Sequence, residues 1–246
     1  ILTGSGGPFR MRNKKDFDTI SLHDALKHPN WEMGKKITID SATMMNKGLE
    51  VIEAYWLFEL DINQIDIIVH PESIVHSMVE FIDGSVKAQL GIPDMKIPIQ
   101  YSLTYPNHVL NNVESLNLTK IKRLNFEEPD FEKFPCIRLA YEALKEGDSS
   151  PIVLNIANDR AVDAFLNNYI PFLSITGVII SSILRKGKRT NKKYKQFNSL
   201  DHKIFLGSII FVLTALLLGG FKIPFSQEIV LFISLLLISI LMFFLT

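Results

Sequence analysis

The chain has 246 residues, enough for one large or two modest domains, and its 26 basic residues balance 26 acidic ones, so no global field points to nucleic acid. A single cysteine, Cys136, excludes an internal disulfide framework and fits a reducing compartment, with a buried thiol as its plain role. Ile1 is not preceded by a charged segment leading into an apolar core, so no signal peptide is expected, and the start on an apolar-then-glycine motif reads as a truncated chain.

Ile1-Leu2-Thr3 reads as the end of a strand running into Gly4-Ser5-Gly6-Gly7-Pro8. Glycines there allow positive φ and expose successive N–H groups, a concavity suited to an anion, and Ser5 adds a hydroxyl. The spacing matches neither a Walker loop nor a dinucleotide fingerprint, and such a loop is often only a turn. Asp16 to Lys27 predicts a helix with Asp18 or Ser21 near its cap. His28-Pro29-Asn30-Trp31-Glu32-Met33-Gly34 predicts a loop that closes over a ligand, or one that Trp31 merely anchors to the core.

Lys36-Ile37-Thr38-Ile39 predicts a short strand, followed by Asp40-Ser41 as the N-cap of a helix through Val51, Ala54, Tyr55 and Phe58. On that helix Asn46, Lys47 and Glu50 stand three and four residues apart and project from one side. A hydroxyl, an amide, an ammonium and a carboxylate thus converge near a helix N-terminus, where free N–H groups favour an anion. Ser41, Asn46 and Lys47 suit a phosphate, while Glu50, acceptor-only, suits a hard divalent cation beside it. A solvated polar face on an ordinary amphipathic helix is the plainer alternative. Gly48 spends helix stability without an obvious structural return.

Gln64 to Val69 predicts a second strand, His70 to Ser73 a turn, and Ile74–Phe81 with Ser85–Leu90 a hairpin about Asp83-Gly84, a common dimerisation surface. His70 and His76 lack the spacing of a helical ligand couple and are assigned structural hydrogen bonds. Prolines 93, 98 and 106 then break the pattern, and the polar stretch to Asn125 reads as a linker. Pro135 at a first-turn position and Gly147 bracket one helix, and Ser150-Pro151 opens a second, of which Asn155, Asn158 and Asp159 are the candidates for a polar role. A third helix follows Pro171-Phe172-Leu173. Beyond a basic run from Arg185 to Lys195, residues 204–221 and 229–245 are two apolar segments near the ~17-residue limit for spanning a bilayer. The positive-inside rule would put the preceding part in the cytoplasm.

Five motifs occur in order: Gly4-Ser5-Gly6-Gly7-Pro8-Phe9-Arg10; His28-Pro29-Asn30-Trp31 through Met33-Gly34-Lys35-Lys36; Asp40 to Glu50; His70-Pro71-Glu72-Ser73 through His76-Ser77-Met78; and Gln89-Leu90-Gly91 through Pro93-Asp94-Met95. Together they closely resemble the 1-deoxy-D-xylulose 5-phosphate reductoisomerase family, and the likeness continues through Asn155-Ile156-Ala157-Asn158 and fades near Ile179. The resemblance implies a phosphorylated sugar substrate, NADPH, and Mn²⁺ or Mg²⁺. It implies that Ser5, Ser41, Asn46 and Lys47 hold the substrate phosphate with His28 close by. Glu50 would be a metal ligand, Glu50 and Lys47 the catalytic pair, Trp31 and Met33 part of a mobile flap, and Gly34 a neighbour of the nicotinamide nucleotide alongside Met33. It also implies a homodimer through the hairpin region.

Two departures accompany it. The family's N-terminal NADPH domain and its Asp-Ser-Glu metal motif are not in these residues, so the chain alone is expected to be inactive, and a membrane-tethered, inactive phosphate-binding remnant is the competing reading. The family does not account for the apolar tail. The expected architecture is therefore α+β: a catalytic domain with a small mixed sheet (1–105), a linker (106–130), a helical bundle (131–184), a basic linker (185–203) and a transmembrane helical hairpin (204–246) in contact with a membrane.

Overall fold

The computed structural model describes residues 1–28 and 33–189. The chain divides into two compact units, Ile1–Lys186 and Gly187–Thr246, and the first carries every feature discussed below.

Strand β1 (Leu2–Gly4) lies parallel to β2 (Ile67–Val69), with Leu2 opposite Ile67 and Gly4 opposite Val69. On its other side β1 meets β3 (Val75–Glu80) antiparallel, and β3 pairs antiparallel with β4 (Val86–Leu90), giving the order β2-β1-β3-β4. The hairpin turns at Gly84, whose φ of +80° belongs to glycine, as the Asp-Gly pair predicts. A small mixed sheet is thus found where it is expected.

The predicted helix over Asp16–Lys27 is instead a 3₁₀ turn, Lys14–Thr19, and a short helix α1 (Leu22–Ala25). Ser21 interrupts the run by forming a capping box with Asp24, so the cap expected there starts a new helix.

The larger correction concerns residues 36–39. They form no strand but the first half of helix α2 (Lys35–Ala42), which begins behind Gly34. Four β-branched or lysine residues fit either period, and the neighbours decide. Ile39 and Ala42, three apart, are fully buried on one face, Thr38 Oγ1 donates to the Gly34 carbonyl at 2.9 Å, and Lys36 pairs with Asp40 one turn on. Asp40 and Ser41 accordingly sit in the last turn of α2 and cap nothing. The next helix, α3 (Met45–Leu57), starts after Met44 turns the chain with φ +60°, and the Thr43 hydroxyl accepts from the Met45 amide at 3.3 Å.

Past the hairpin, α4 (Lys96–Thr104) forms despite Pro98, which falls in its first turn where no N–H partner is lost. A short helix α5 (Leu118–Ile121) punctuates the otherwise irregular linker. The prolines and glycine predicted to bracket the helical region do so: α6 (Pro135–Glu146) ends at Gly147 with φ +67°, and α7 (Ser150–Leu166) and α8 (Ser174–Arg189) follow. One apolar core joins α2, α3 and β2 to α6, α7 and α8, from Ile39, Met45 and Val51 to Ile137, Leu154 and Ile179. Phe9, Phe17, Phe134, Phe165 and Phe172 form an aromatic cluster at its edge, with Phe9 edge-on to Phe172 at 5.3 Å. Tucking Phe9 into this cluster anchors the far end of the glycine loop.

The architecture is a mixed α/β fold with a small sheet and helices, and the expected transmembrane hairpin is withdrawn. Among the described residues no helix is long and apolar enough to cross a membrane; the longest, α7, has 17 residues and carries Asp159, Arg160 and Asp163. Residues 204–246, on which the hairpin was expected, lie outside the described residues.

Candidate active site

The glycine loop leaves β1 at Gly4 and crosses the C-terminal end of α2. Gly6 and Gly7 have φ of +83° and +69°, and a Cβ on Gly7 would stand 2.5 Å from the Ser41 carbonyl oxygen. Only glycine lets the loop lie this close to α2. The Ser5 hydroxyl accepts from the Gly7 amide at 3.2 Å and lies 3.3 Å from His28 Nε2. Burial holds His28 below the ordinary histidine value.

Helix α3 brings its polar side to the same place. Lys47 Nζ donates to the Thr3 carbonyl at 2.7 Å and to Glu50 Oε2 at 2.7 Å, and the Asn46 amide donates to Glu50 Oε1 at 2.8 Å. Thr3 belongs to β1, so the lysine ties the helix to the strand that carries the glycine loop. Gly4 makes room for it, since a Cβ there would be 2.9 Å from Lys47 Cε. Lys47 is largely shielded, with 12 % of its side chain exposed.

These groups line one cleft of about 970 Å³. Ser5, His28, Met33, Ser41, Asn46, Lys47 and Glu50 all face it, so the structure brings together seven of the residues singled out from sequence. Gly34 is not among the lining residues; it stands as the N-cap of α2, and among the described residues nothing lies within 4 Å of where its side chain would be. Trp31 lies outside the described residues.

The opposite wall comes from β3, β4 and α4, including His76, Gln89 and Tyr101. His70 and His76 have the structural bonds assigned to them: His70 Nδ1 lies 2.8 Å from the Asn125 carbonyl oxygen and His76 Nε2 lies 3.1 Å from that of Ser73. Both nevertheless reach the lining of the cleft. Sequence reasoning also passed over Glu53, which lines the cleft one turn beyond Glu50. Its spacing of three from Glu50 was the available signal. Partial desolvation of this otherwise exposed side chain, and then the negative charge of Glu50, push its carboxyl above the usual glutamate range.

A divalent cation takes about six oxygen ligands. Each Glu50 oxygen accepts one hydrogen bond and keeps acceptor capacity, so this carboxylate fits as one ligand. Among the described residues no group of three His, Cys, Asp or Glu could hold a metal ion.

The chain is similar to known proteins. A family model for the 1-deoxy-D-xylulose 5-phosphate reductoisomerase C-terminal domain matches residues 1–58, and one for the DXP reductoisomerase C-terminal domain matches residues 90–204. The 1-deoxy-D-xylulose 5-phosphate reductoisomerase of Chloroherpeton thalassium is 64% identical over 179 residues, covering 73% of this chain and 46% of that protein. That of Acetivibrio thermocellus is 59% identical over 179 residues, covering 73% and 47%. The chain therefore spans about half the length of the curated relatives it matches. Among solved structures, the reductoisomerase from Zymomonas mobilis in complex with NADPH superimposes with a TM-score of 0.71 at 42% identity, covering 82% of this chain and 52% of that one. A DOX-P reductoisomerase in complex with NADPH, fosmidomycin and magnesium gives 0.73 at 46% identity, covering 79% and 46%.

Proposed function

We propose, because this chain belongs to the 1-deoxy-D-xylulose 5-phosphate reductoisomerase family over both matched regions, that it supplies the substrate-binding part of that enzyme. The reaction is the NADPH-dependent conversion of 1-deoxy-D-xylulose 5-phosphate to 2-C-methyl-D-erythritol 4-phosphate in non-mevalonate isoprenoid biosynthesis, by skeletal rearrangement and then hydride reduction. The observation that carries this reading is the shared cleft, in which a positive-φ glycine loop and the Asn46–Lys47–Glu50 cluster face one space.

In this reading Ser5 and Ser41 present hydroxyls to the substrate phosphate, Asn46 its amide, and Lys47 the neutralising ammonium, with His28 close to Ser5. Lys47 has a second task. By donating to both Thr3 and Glu50 it holds the carboxylate against the strand, so Glu50 is oriented before any ligand arrives. Glu50 would be this chain's ligand to Mg²⁺ or Mn²⁺, which when bound supplies Lewis-acid polarisation of the substrate oxygens, while NADPH supplies the hydride. Met33 lines the cleft at the end of the segment 28–34 that, with Trp31, would cover the substrate and exclude water, and Gly34, bare of a side chain, would leave room for the nicotinamide nucleotide. Residues 1–105 then form the catalytic region, 106–130 the linker and 131–184 the supporting helices. A homodimer through β3–β4 accompanies this reading, and the apolar residues Val79, Ile82 and Val86 exposed on that hairpin favour it.

A chimera tests the proposal against an inactive phosphate-binding remnant. The 179 matched residues replace their counterpart in the Chloroherpeton thalassium enzyme, and substrate-dependent NADPH oxidation is followed with Mg²⁺. Turnover near that of the parent enzyme is expected, with Glu50→Gln lowering kcat by about a hundredfold or more. A folded chimera that binds phosphate and never turns over would favour the remnant.

A further inference from the structure

Helix α2 follows Met33 and carries Ile37 and Ser41, all three lining the cleft, yet little in its own sequence holds it in place. It has eight residues, its N-cap Gly34 offers no side-chain bond, and helices this short are not stable alone. Apolar contacts through Ile39 and Ala42 bury one face, but such contacts are not directional. The directional ties come from α7. The Asn158 amide donates to Asp40 Oδ1 at 2.8 Å, and Lys36 Nζ bridges Asp40 Oδ2 at 2.6 Å and Asp159 Oδ1 at 3.1 Å.

This arrangement is costly. The Asp40 side chain is 2 % exposed, and burial pushes its carboxyl up, with the bonds from Lys36 and Asn158 offsetting part of that. Asn158 is fully buried and its Oδ1 has no hydrogen-bond partner among the described residues. A well-packed apolar pair would serve stability as well or better, so geometry is the better account of its presence. The geometry matters at the next residue. Ser41 lines the cleft, and its carbonyl is the surface against which Gly7 is pressed.

We propose that Asn158 and Asp40 are positioning residues: through them α7 sets the register of α2, and so places Ser41 and the glycine loop for an anion. The inference rests on the phosphate-binding role given to the cleft, and it assigns to the helical region a task beyond packing. Asn158 touches no ligand in this account and acts only through Asp40.

The test uses the chain as it stands, with inorganic phosphate as the probe, read by calorimetric titration and by the backbone amide signals of Gly7 and Ser41. Asn158→Leu removes the donor and the orphaned oxygen but leaves the buried Asp40 Oδ1 without that bond, so thermal stability should fall, and phosphate affinity should fall about tenfold in the folded variant, the effect of a displaced binding group. The Gly7 and Ser41 signals should shift in the free variant as well. Lys36→Arg should retain near-normal affinity and Lys36→Met should not. If Asn158→Leu does not fold, Lys36→Met gives the same comparison, since that side chain is 43 % exposed. Unchanged Gly7 and Ser41 signals together with wild-type affinity would overturn the inference. A wild-type chain indifferent to phosphate, whose Gly7 and Ser41 signals still move in Asn158→Leu, would reject the functional reading of the cleft and support the tie.

Discussion

Gly48 stands inside a helix, where glycine costs about 1 kcal/mol relative to alanine. Its return, invisible in sequence, is a helix crossing: a Cβ there would meet Ala140 Cβ at 2.9 Å and the Cys136 carbonyl oxygen at 3.2 Å. Gly48→Ala should therefore destabilise the protein by about 1–3 kcal/mol in chemical denaturation, against the gain its helix propensity would give. A net stabilisation would mean that α3 and α6 do not meet there. Glu53 gives a pH dependence. Its folded pKa is raised by partial desolvation and then by Glu50, so the folded state binds its proton more tightly than the unfolded chain. That contribution is fully present below the ordinary value of 4.5 and is lost as pH rises through the folded value. Glu53→Gln should consequently be more stable than wild type at neutral pH, with the difference vanishing in acid; a constant difference across the range would refute the assignment.

At the scale of elements, what was legible in sequence was what residue type dictates directly. Gly84 marks the hairpin, Pro135 and Gly147 bracket α6, and the glycine loop and the Asn46–Lys47–Glu50 face were readable from conformational freedom and helical spacing. What was not legible depends on partners distant in the chain. Residues 36–39 are helical because Ile39 and Ala42 meet the core together and because Asp40 finds Asn158, 118 residues away. The start of α3 could not be read either, since it is made by the left-handed backbone of Met44 and not by a capping side chain. Ser41 thus lines the same cleft as Asn46 and Lys47 for a reason other than the one expected: it closes a helix instead of opening one. The junction of loop and α2 is testable by Gly7→Ala, which meets both positive φ and the Ser41 carbonyl. A loss above about 1 kcal/mol in stability is expected, together with abolished phosphate binding. Retained binding would show that the loop does not need this close approach.

For the whole molecule, one core serves both the sheet region and the helices of the first unit, which is why polar ties from α7 can reach the cleft. The chain spans about half the length of the curated relatives it matches. The proposed homodimer predicts that Ile82→Asp with Val86→Asp shifts the sedimentation of the protein from dimer to monomer; a wild-type chain that sediments as a monomer at high concentration would remove that proposal. The central claim is that one cleft grips an anion between the glycine loop and α3. It is tested most directly by titrating the chain with inorganic phosphate while following every backbone amide. Saturable shifts should centre on Ser5, Gly6, Gly7, Ser41, Asn46 and Lys47 and disappear in Lys47→Met. Saturable shifts confined to another face, or none at these six residues, would contradict the account.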